Sequence, residues 1–306
     1  SSLGLYNYLK LKGCNVNAIT PSDYPDFLTW LPSNDVVINF EAAGHTAKEL
    51  VNNADLIFCL DFNWLSRVEG MEGLLRSAAA KKVLIDHHLD PENVYDFVFS
   101  FTEACSTSEL IYRFIDALGD VKMINKDIAE CLYCGIMTDT NSFRYSSMKA
   151  DVHRIIAELM EAGAENYRIH ERVYDTSTEN RLRLLGFSLK EKLTVLPEFN
   201  TAYLALSQSE LEMFNHKSGD TEGLVNYALS INGIKFAAFF SEKDGMIKIS
   251  FRSKGNFSVK EFSGKYFSGG GHKNASGGRS DLSLSDTLKK FLDLLPVYKN
   301  ELNSVE

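Results

Sequence analysis

The sequence predicts an α/β fold: a parallel-sheet domain with helices on both faces, joined by a helical linker to a smaller α/β domain. Three observations carry that reading. Continuous apolar runs, "DVVINF", "LIFCLDF" and "KKVLIDHH", alternate with helix-like stretches, "TAKELVNNA" and "MEGLLRSAAA", as strands buried on both faces do. After about residue 194 hairpin signals replace that alternation. The length, 306 residues, suffices for two cores rather than one.

Taken in order, the chain opens on "SSLGLYNYLKLKG", where Leu3, Tyr6 and Leu9 have helical spacing. The first strands are expected at "CNVNAIT" and "DVVINF", followed by the alternating units above. Helices then dominate from Thr107 to about Leu193, including "STSELIYRFIDALG" with Ser106 or Thr107 as its N-cap. The polar stretch "TSTENRLRLLGFSLKEKL" separates two differently patterned halves. The expected division is residues 1–180 for the first domain, 181–196 for a linker helix and 197–306 for the second domain. In that second part "TAYLALS" reads as a strand and "IKFAAFFSEKDGMIKISFRSKG" as a hairpin turning at Lys243–Gly245. Helical signals follow at Val259 to Tyr266 and Asp286 to Leu295. Between them, "FSGGGHKNASGG" is too glycine-rich to be an element interior.

Composition narrows the function classes. Hydrophobic residues make up 44% and charged residues 24%, ordinary for a soluble globular protein. No apolar run approaches the roughly 20 residues of a membrane helix, and no secretory signal precedes the first element. Five cysteines, an odd number mostly inside apolar runs, suggest buried thiols in a reducing cytoplasm. The CxxC spacing of Cys131 and Cys134 lies in a helix-like stretch without a second cysteine pair, so core packing outranks a metal or redox role. A formal net charge of −9 argues against broad binding to long duplex DNA. A small anionic substrate stays open where positive charge is local, including charge from a divalent metal.

The residues that could do chemistry sit where apolar segments end. Asp61 follows "LIFCL", Asp86, His87 and His88 follow "KKVLI", and Asp139 lies in "CGIMTDTNSF". Ligands of open α/β sheets bind outside the carboxyl ends of the strands, which places Asp61 and His87 on one rim. A lone Asp at a strand end is more often a cap or turn residue, and a lone His a satisfied polar group. The set of carboxylates and imidazoles instead suits Mn²⁺ or a similar first-row cation acting on a phosphate. His45, His153, His170 and His216 have no such company and read as surface or packing residues. Arg67, six residues after Asp61, is an ordinary surface arginine on position alone; near that rim it could contact phosphate bidentately. In the second domain, Gly269, Gly270 and Gly271 allow close backbone approach to an anion. His272 and Lys273 follow at once, and Arg252 and Lys254 lie in the preceding "SFRSKG". That combination fits a nucleotide or phosphate clamp better than a flexible linker.

These motifs carry a resemblance. "DHH" after a strand, the Asp in "CLDFNWLSR", the Asp in "GIMTDTNSFRYS" and the late "GGGHKNASGG" are similar, in that order, to the DHH/DHHA1 phosphoesterases. The likeness extends over the whole chain and is strongest to the two-domain nano-RNase/pAp phosphatases. It implies an active site in the cleft between a metal-binding catalytic domain and a substrate-binding domain. It also implies two divalent ions, Mn²⁺ with Mg²⁺ or Co²⁺ as alternatives. Asp61 would bridge them, and His87 and Asp139 would bind the second. His88 would contact the scissile phosphate, with Asp86 orienting the histidines. Arg252, Gly269 to Gly271 and His272 would hold the nucleotide or its other phosphate. The implied reaction is hydrolysis by a metal-activated water of short RNA to 5′-mononucleotides and of the 3′-phosphate of pAp. Long duplex DNA and membranes are not expected partners, and a homodimer is left open.

The family's first motif, His-x-x-x-Asp-x-Asp, belongs just before the opening helix and is absent from these residues. Because residue 1 reads as the inside of a fold, that motif is expected upstream of it. Linear or cyclic dinucleotides are the alternative substrates, and a catalytically inactive nucleotide sensor is the rival from another class. A RecJ-like exonuclease would bring further domains, and a pyrophosphatase of this superfamily a different C-terminal domain.

Overall fold

A computed structural model describes residues 1–145, 147–217 and 219–304. The chain divides into two compact units, Ser1–Thr176 and Ser177–Glu306.

The first unit runs α1 (Ser2–Leu11), β1 (Ala18–Thr20), β2 (Val37–Asn39), α2 (Phe40–Asn52), β3 (Leu56–Leu60), α3 (Glu72–Ser77), β4 (Lys81–Asp86) and β5 (Phe97–Ser100). Four helices complete it: α4 (Thr107–Ala117), α5 (Lys126–Asp139), α6 (Ala150–Glu161) and α7 (Asn166–Tyr174). Strands β1 and β2 pair in parallel, and so do β3, β4 and β5 in that order. The expected alternation is therefore present, with β5 an addition that its surrounding polar residues hid. Leu84 and Ile85 of β4 are fully buried, one on each side of the sheet. Helix α5 carries Ile128, Leu132, Ile136 and Met137 into the largest apolar cluster. Cys134 lies in that cluster and Cys131 in a small neighbouring one; burial pushes their thiols up to about 11 and about 12, so both are packing residues.

The second unit begins with α8 (Glu179–Phe187), in the stretch read as a linker, and continues with β6 (Thr194–Leu196), β7 (Thr201–Leu206), α9 (Gln208–Met213) and α10 (Leu224–Ser230). Next come β8 (Phe236–Lys243), β9 (Met246–Ser253), α11 (Val259–Tyr266), β10 (Gly270–His272), β11 (Ala275–Ser280), α12 (Leu284–Leu294) and α13 (Lys299–Asn303). One six-stranded sheet runs β10-β11-β9-β8-β7-β6, antiparallel except where β7 meets β8. The β8–β9 hairpin turns through Asp244 and Gly245, both with positive φ (52° and 75°), which matches the twist of the strands it joins.

The glycine-rich stretch departs from expectation. It is not a loop but two antiparallel strands, with Gly270 opposite Gly277 and His272 opposite Ala275. Backbone contact explains its composition. A Cβ on Gly269 would lie 2.1 Å from the Gly277 carbonyl oxygen, and Gly271 adopts φ 141°, where a Cβ would lie 2.6 Å from the Ala275 oxygen. Glycine lets the strands approach there, whatever else the stretch does. No described helix is long and apolar enough to cross a membrane.

Candidate metal centre

The site grows from the carboxyl ends of two neighbouring parallel strands. Strand β3 ends at Leu60, and Asp61 follows in the left-handed region with φ 69°, its N–H bonded to the Ile85 carbonyl of β4. Strain of this kind in a non-glycine residue persists where its surroundings hold it in place. Thr107 Oγ1 does so, donating to Asp61 Oδ1 at 2.8 Å. Thr107 is itself placed by the start of α4. Ser106 accepts the Glu109 N–H at 3.1 Å, and Glu109 reaches back to accept the Cys105 N–H at 2.7 Å. The sequence reading missed Thr107 as a site residue, although the cap in "CSTSE" was legible.

Strand β4 ends in Asp86, which is completely buried. Its Oδ1 accepts the His87 N–H at 2.8 Å and sits 2.7 Å from His88 Nδ1. An ionised carboxylate only accepts, so His88 carries its proton on Nδ1 and turns Nε2 away from Asp86. Asp86 Oδ2 is buried and has no hydrogen-bond partner among the described residues. His87 Nδ1 lies 3.2 Å from the Ala104 carbonyl, which can likewise only accept. That contact assigns the proton to Nδ1 and leaves the Nε2 lone pair for the other side.

On that side stand two carboxylates. His87 Nε2 is 3.5 Å from Asp61 Oδ1 and 3.3 Å from Asp139 Oδ2. Asp139 comes from a helix rather than a strand end: it is the last residue of α5, and core packing of that helix delivers it to the rim. Its desolvation pushes the carboxyl up to about 6, His87 pulls it down and Asp61 pushes it up again. The side chain keeps 41% of its surface accessible, so the upward push is felt at a site that water and ions can still reach.

The arrangement fits a divalent cation. His87 Nε2 has a carboxylate oxygen of each of two aspartates within 3.5 Å, and neighbouring ligands of an octahedral ion bound at about 2.1 Å lie about 3 Å apart. Asp61 also belongs to a second group, with Asp86 and His88, whose ligand atoms all lie within 4.8 Å of one another. Oxygen and nitrogen donors without sulfur suit Mn²⁺ or Mg²⁺ better than a thiolate-seeking ion.

Arg67 is exposed, makes a long 3.4 Å bond to Asn63, and lines a cavity of about 280 Å³ with Phe40, Gly44, Lys48 and Gly70. Arg252, Gly269, Gly270, Gly271 and His272 belong to the second unit. Arg252 lies on β9 beside β11, donates through Nη1 to the Phe251 carbonyl at 3.0 Å, and keeps a buried Nε with no hydrogen-bond partner among the described residues.

Comparison with known proteins identifies the family. The model of the DHH family, N-terminal domain, matches residues 1–136, and that of the DHHA1 domain matches residues 202–297. The bifunctional oligoribonuclease and PAP phosphatase NrnA of Thermus thermophilus is 30% identical over 308 residues, covering 100% of this chain and 84% of that protein. The chain belongs to the DHH/DHHA1 phosphoesterase family. The protein of the same name from Bacillus subtilis is 30% identical over 201 residues, 65% of this chain; the match spans 63% of that relative, less than two thirds of its length. A crystal structure of an exopolyphosphatase-related protein from Bacteroides fragilis is 40% identical, with a TM-score of 0.96 over 99% of this chain and 89% of that one.

Proposed function

We propose that this DHH/DHHA1 protein is a Mn²⁺-dependent phosphoric ester hydrolase. Its substrates are short oligoribonucleotides, cut from the 3′ end to 5′-mononucleotides, and pAp, from which it removes the 3′-phosphate. One observation carries the reading: His87 Nε2 lies within 3.5 Å of both the Asp61 and the Asp139 carboxylates, beside a histidine held by a buried carboxylate. The printed names of the Thermus and Bacillus relatives, oligoribonuclease and PAP phosphatase, support the substrate class.

Asp61 would be shared between two ions, with His87 and Asp139 holding the second. Bound there, divalent cations supply a nucleophile from water near neutral pH and offset charge on the phosphoryl oxygens. Donation from His88 Nε2 to a phosphoryl oxygen would need the doubly protonated imidazolium, whose Nδ1–H stays on Asp86 and fixes the ring's orientation. A donor placed in this way contributes roughly 3–4 kcal/mol as charge builds. Arg252, the Gly269–Gly271 backbone and His272 bind the nucleotide or its second phosphate, and the Arg67 guanidinium adds a phosphate contact. We place the enzyme in the cytoplasm, where its four buried free thiols stay reduced.

The test is a parallel Mn²⁺ assay of the full-length protein on pAp, RNA of two to five nucleotides, cyclic dinucleotides and pyrophosphate. Turnover of pAp and short RNA is expected. Turnover of pyrophosphate or cyclic dinucleotides alone overturns the substrate assignment.

A further inference from the structure

Beyond Asp139 the chain turns through three consecutive non-glycine residues in the left-handed region: Asn141 (φ 50°), Ser142 (φ 58°) and Phe143 (φ 64°). A run of that kind holds only where the surroundings over-determine it. Local bonds do part of this. The Ser142 N–H donates to the Met137 carbonyl at 2.8 Å, and the Phe143 N–H to Thr140 Oγ1 at 3.0 Å.

The remaining anchor comes from α7, in the same unit. His170 Nδ1 lies 2.8 Å from the Asn166 carbonyl, which can only accept, so the proton is assigned to Nδ1. His170 Nε2 is then an acceptor, and Ser142 Oγ donates to it at 3.0 Å. Around that bond the Phe143 ring stands edge-on to Tyr133 at 5.4 Å and tilted against His170 at 6.1 Å. Tyr133 and Tyr174 flank the imidazole at 6.2 and 5.9 Å. One imidazole thus joins the turn after Asp139 to a helix whose Ile169 and Val173 are buried in the main core.

We propose that His170 is a positioning residue of the metal centre. Through Ser142 it holds the turn that closes α5, and so keeps the Asp139 carboxylate beside His87 Nε2, which Asp61 Oδ1 also approaches. The inference rests on the metal-centre reading. It assigns to His170 a role like that of the outer hydrogen-bond partners of metal ligands, whose loss typically weakens metal affinity 10–100-fold. His170 touches neither the metal position nor the reacting atoms.

The experiment is calorimetric titration of the full-length protein with MnCl₂, with thermal midpoints recorded alongside. His170→Phe keeps an aromatic ring in the cluster and removes the acceptor; Ser142→Ala removes the donor and leaves the imidazole. Each is expected to lower Mn²⁺ affinity at least about tenfold with a midpoint close to wild type, and the double variant should lose no more than either single one. Mn²⁺ affinity within twofold of wild type in Ser142→Ala, or in a folded His170→Phe, overturns the proposal. Strictly additive losses overturn it too, because the two residues would then act separately. If the wild-type protein itself binds no Mn²⁺, the metal-centre reading fails, and this role with it.

Discussion

The rim of the first unit and the core of the second are built on opposite principles. The second unit packs Phe236, Phe240, Phe251, Phe262, Phe267 and Phe291 into one cluster, with many ring centroids between 5.2 and 6.4 Å apart. The rim instead gathers left-handed non-glycine residues, two carboxylates against one imidazole and a buried carboxylate oxygen with no partner among the described residues. The first arrangement gains dispersion and apolar burial at every contact. The second gathers charge and backbone strain at one rim. Stability and function are therefore separable in this chain, and substitutions should divide accordingly.

The largest expected effect is at the rim. Asp61→Asn should abolish Mn²⁺-dependent turnover, a loss beyond the ~10–100-fold typical of an outer partner. The metal-free protein should melt no lower than wild type, because one of the facing carboxylate charges is gone. Near-wild-type turnover would break the comparison at its strongest point. Phe251→Ala in the aromatic core should do the reverse, destabilising the protein by about 3–5 kcal/mol in chemical denaturation. The folded fraction of that variant should keep its Mn²⁺ affinity.

Smaller effects sharpen the contrast within the glycine-rich hairpin. Gly271→Ala forces a Cβ against the Ala275 carbonyl at φ 141° and should cost about 1–3 kcal/mol. A Cβ on Gly270 meets open space, so Gly270→Ala should leave the melting midpoint unchanged and report on substrate KM alone. If both variants melt like wild type, close backbone approach is not why these glycines are there.

The smallest effect concerns pH. Asp139 titrates at about 6 in the metal-free fold, above the ~3.9 of an unfolded aspartate. The folded apo-protein thus holds more protons than the unfolded chain between those values. Its stability from this group is greatest at low pH and falls as pH rises toward 6. Metal binding runs the other way, since it requires the carboxylate: apparent Mn²⁺ affinity should weaken by up to about tenfold per pH unit below 6. A flat affinity between pH 5 and 7 would show that Asp139 is already ionised without metal.

Much of this was legible in the chain itself. An apolar run that ends abruptly in Asp86-His87-His88 reads as a buried strand delivering polar groups to its end, because such groups are desolvated only where partners satisfy them. The hairpin turning at Asp244-Gly245 and the helix over Val259–Tyr266 followed from equally local chemistry. The β10–β11 pair was not legible, because glycine looks the same whether it frees a loop or admits a neighbouring backbone. The helix before Asp139 was legible as a helix-like run, but its delivery of that carboxylate to His87 was not, because packing alone decides it.

What the sequence by itself determined is the set of donor groups and the segments that carry them, because side-chain chemistry and periodicity are local properties. Only the tertiary structure decided which donors face one another. Thr107 reaches Asp61 across 46 positions, and Ser142 meets His170 across 28. Such pairings are set by how helices pack on the sheet, which no window of sequence contains.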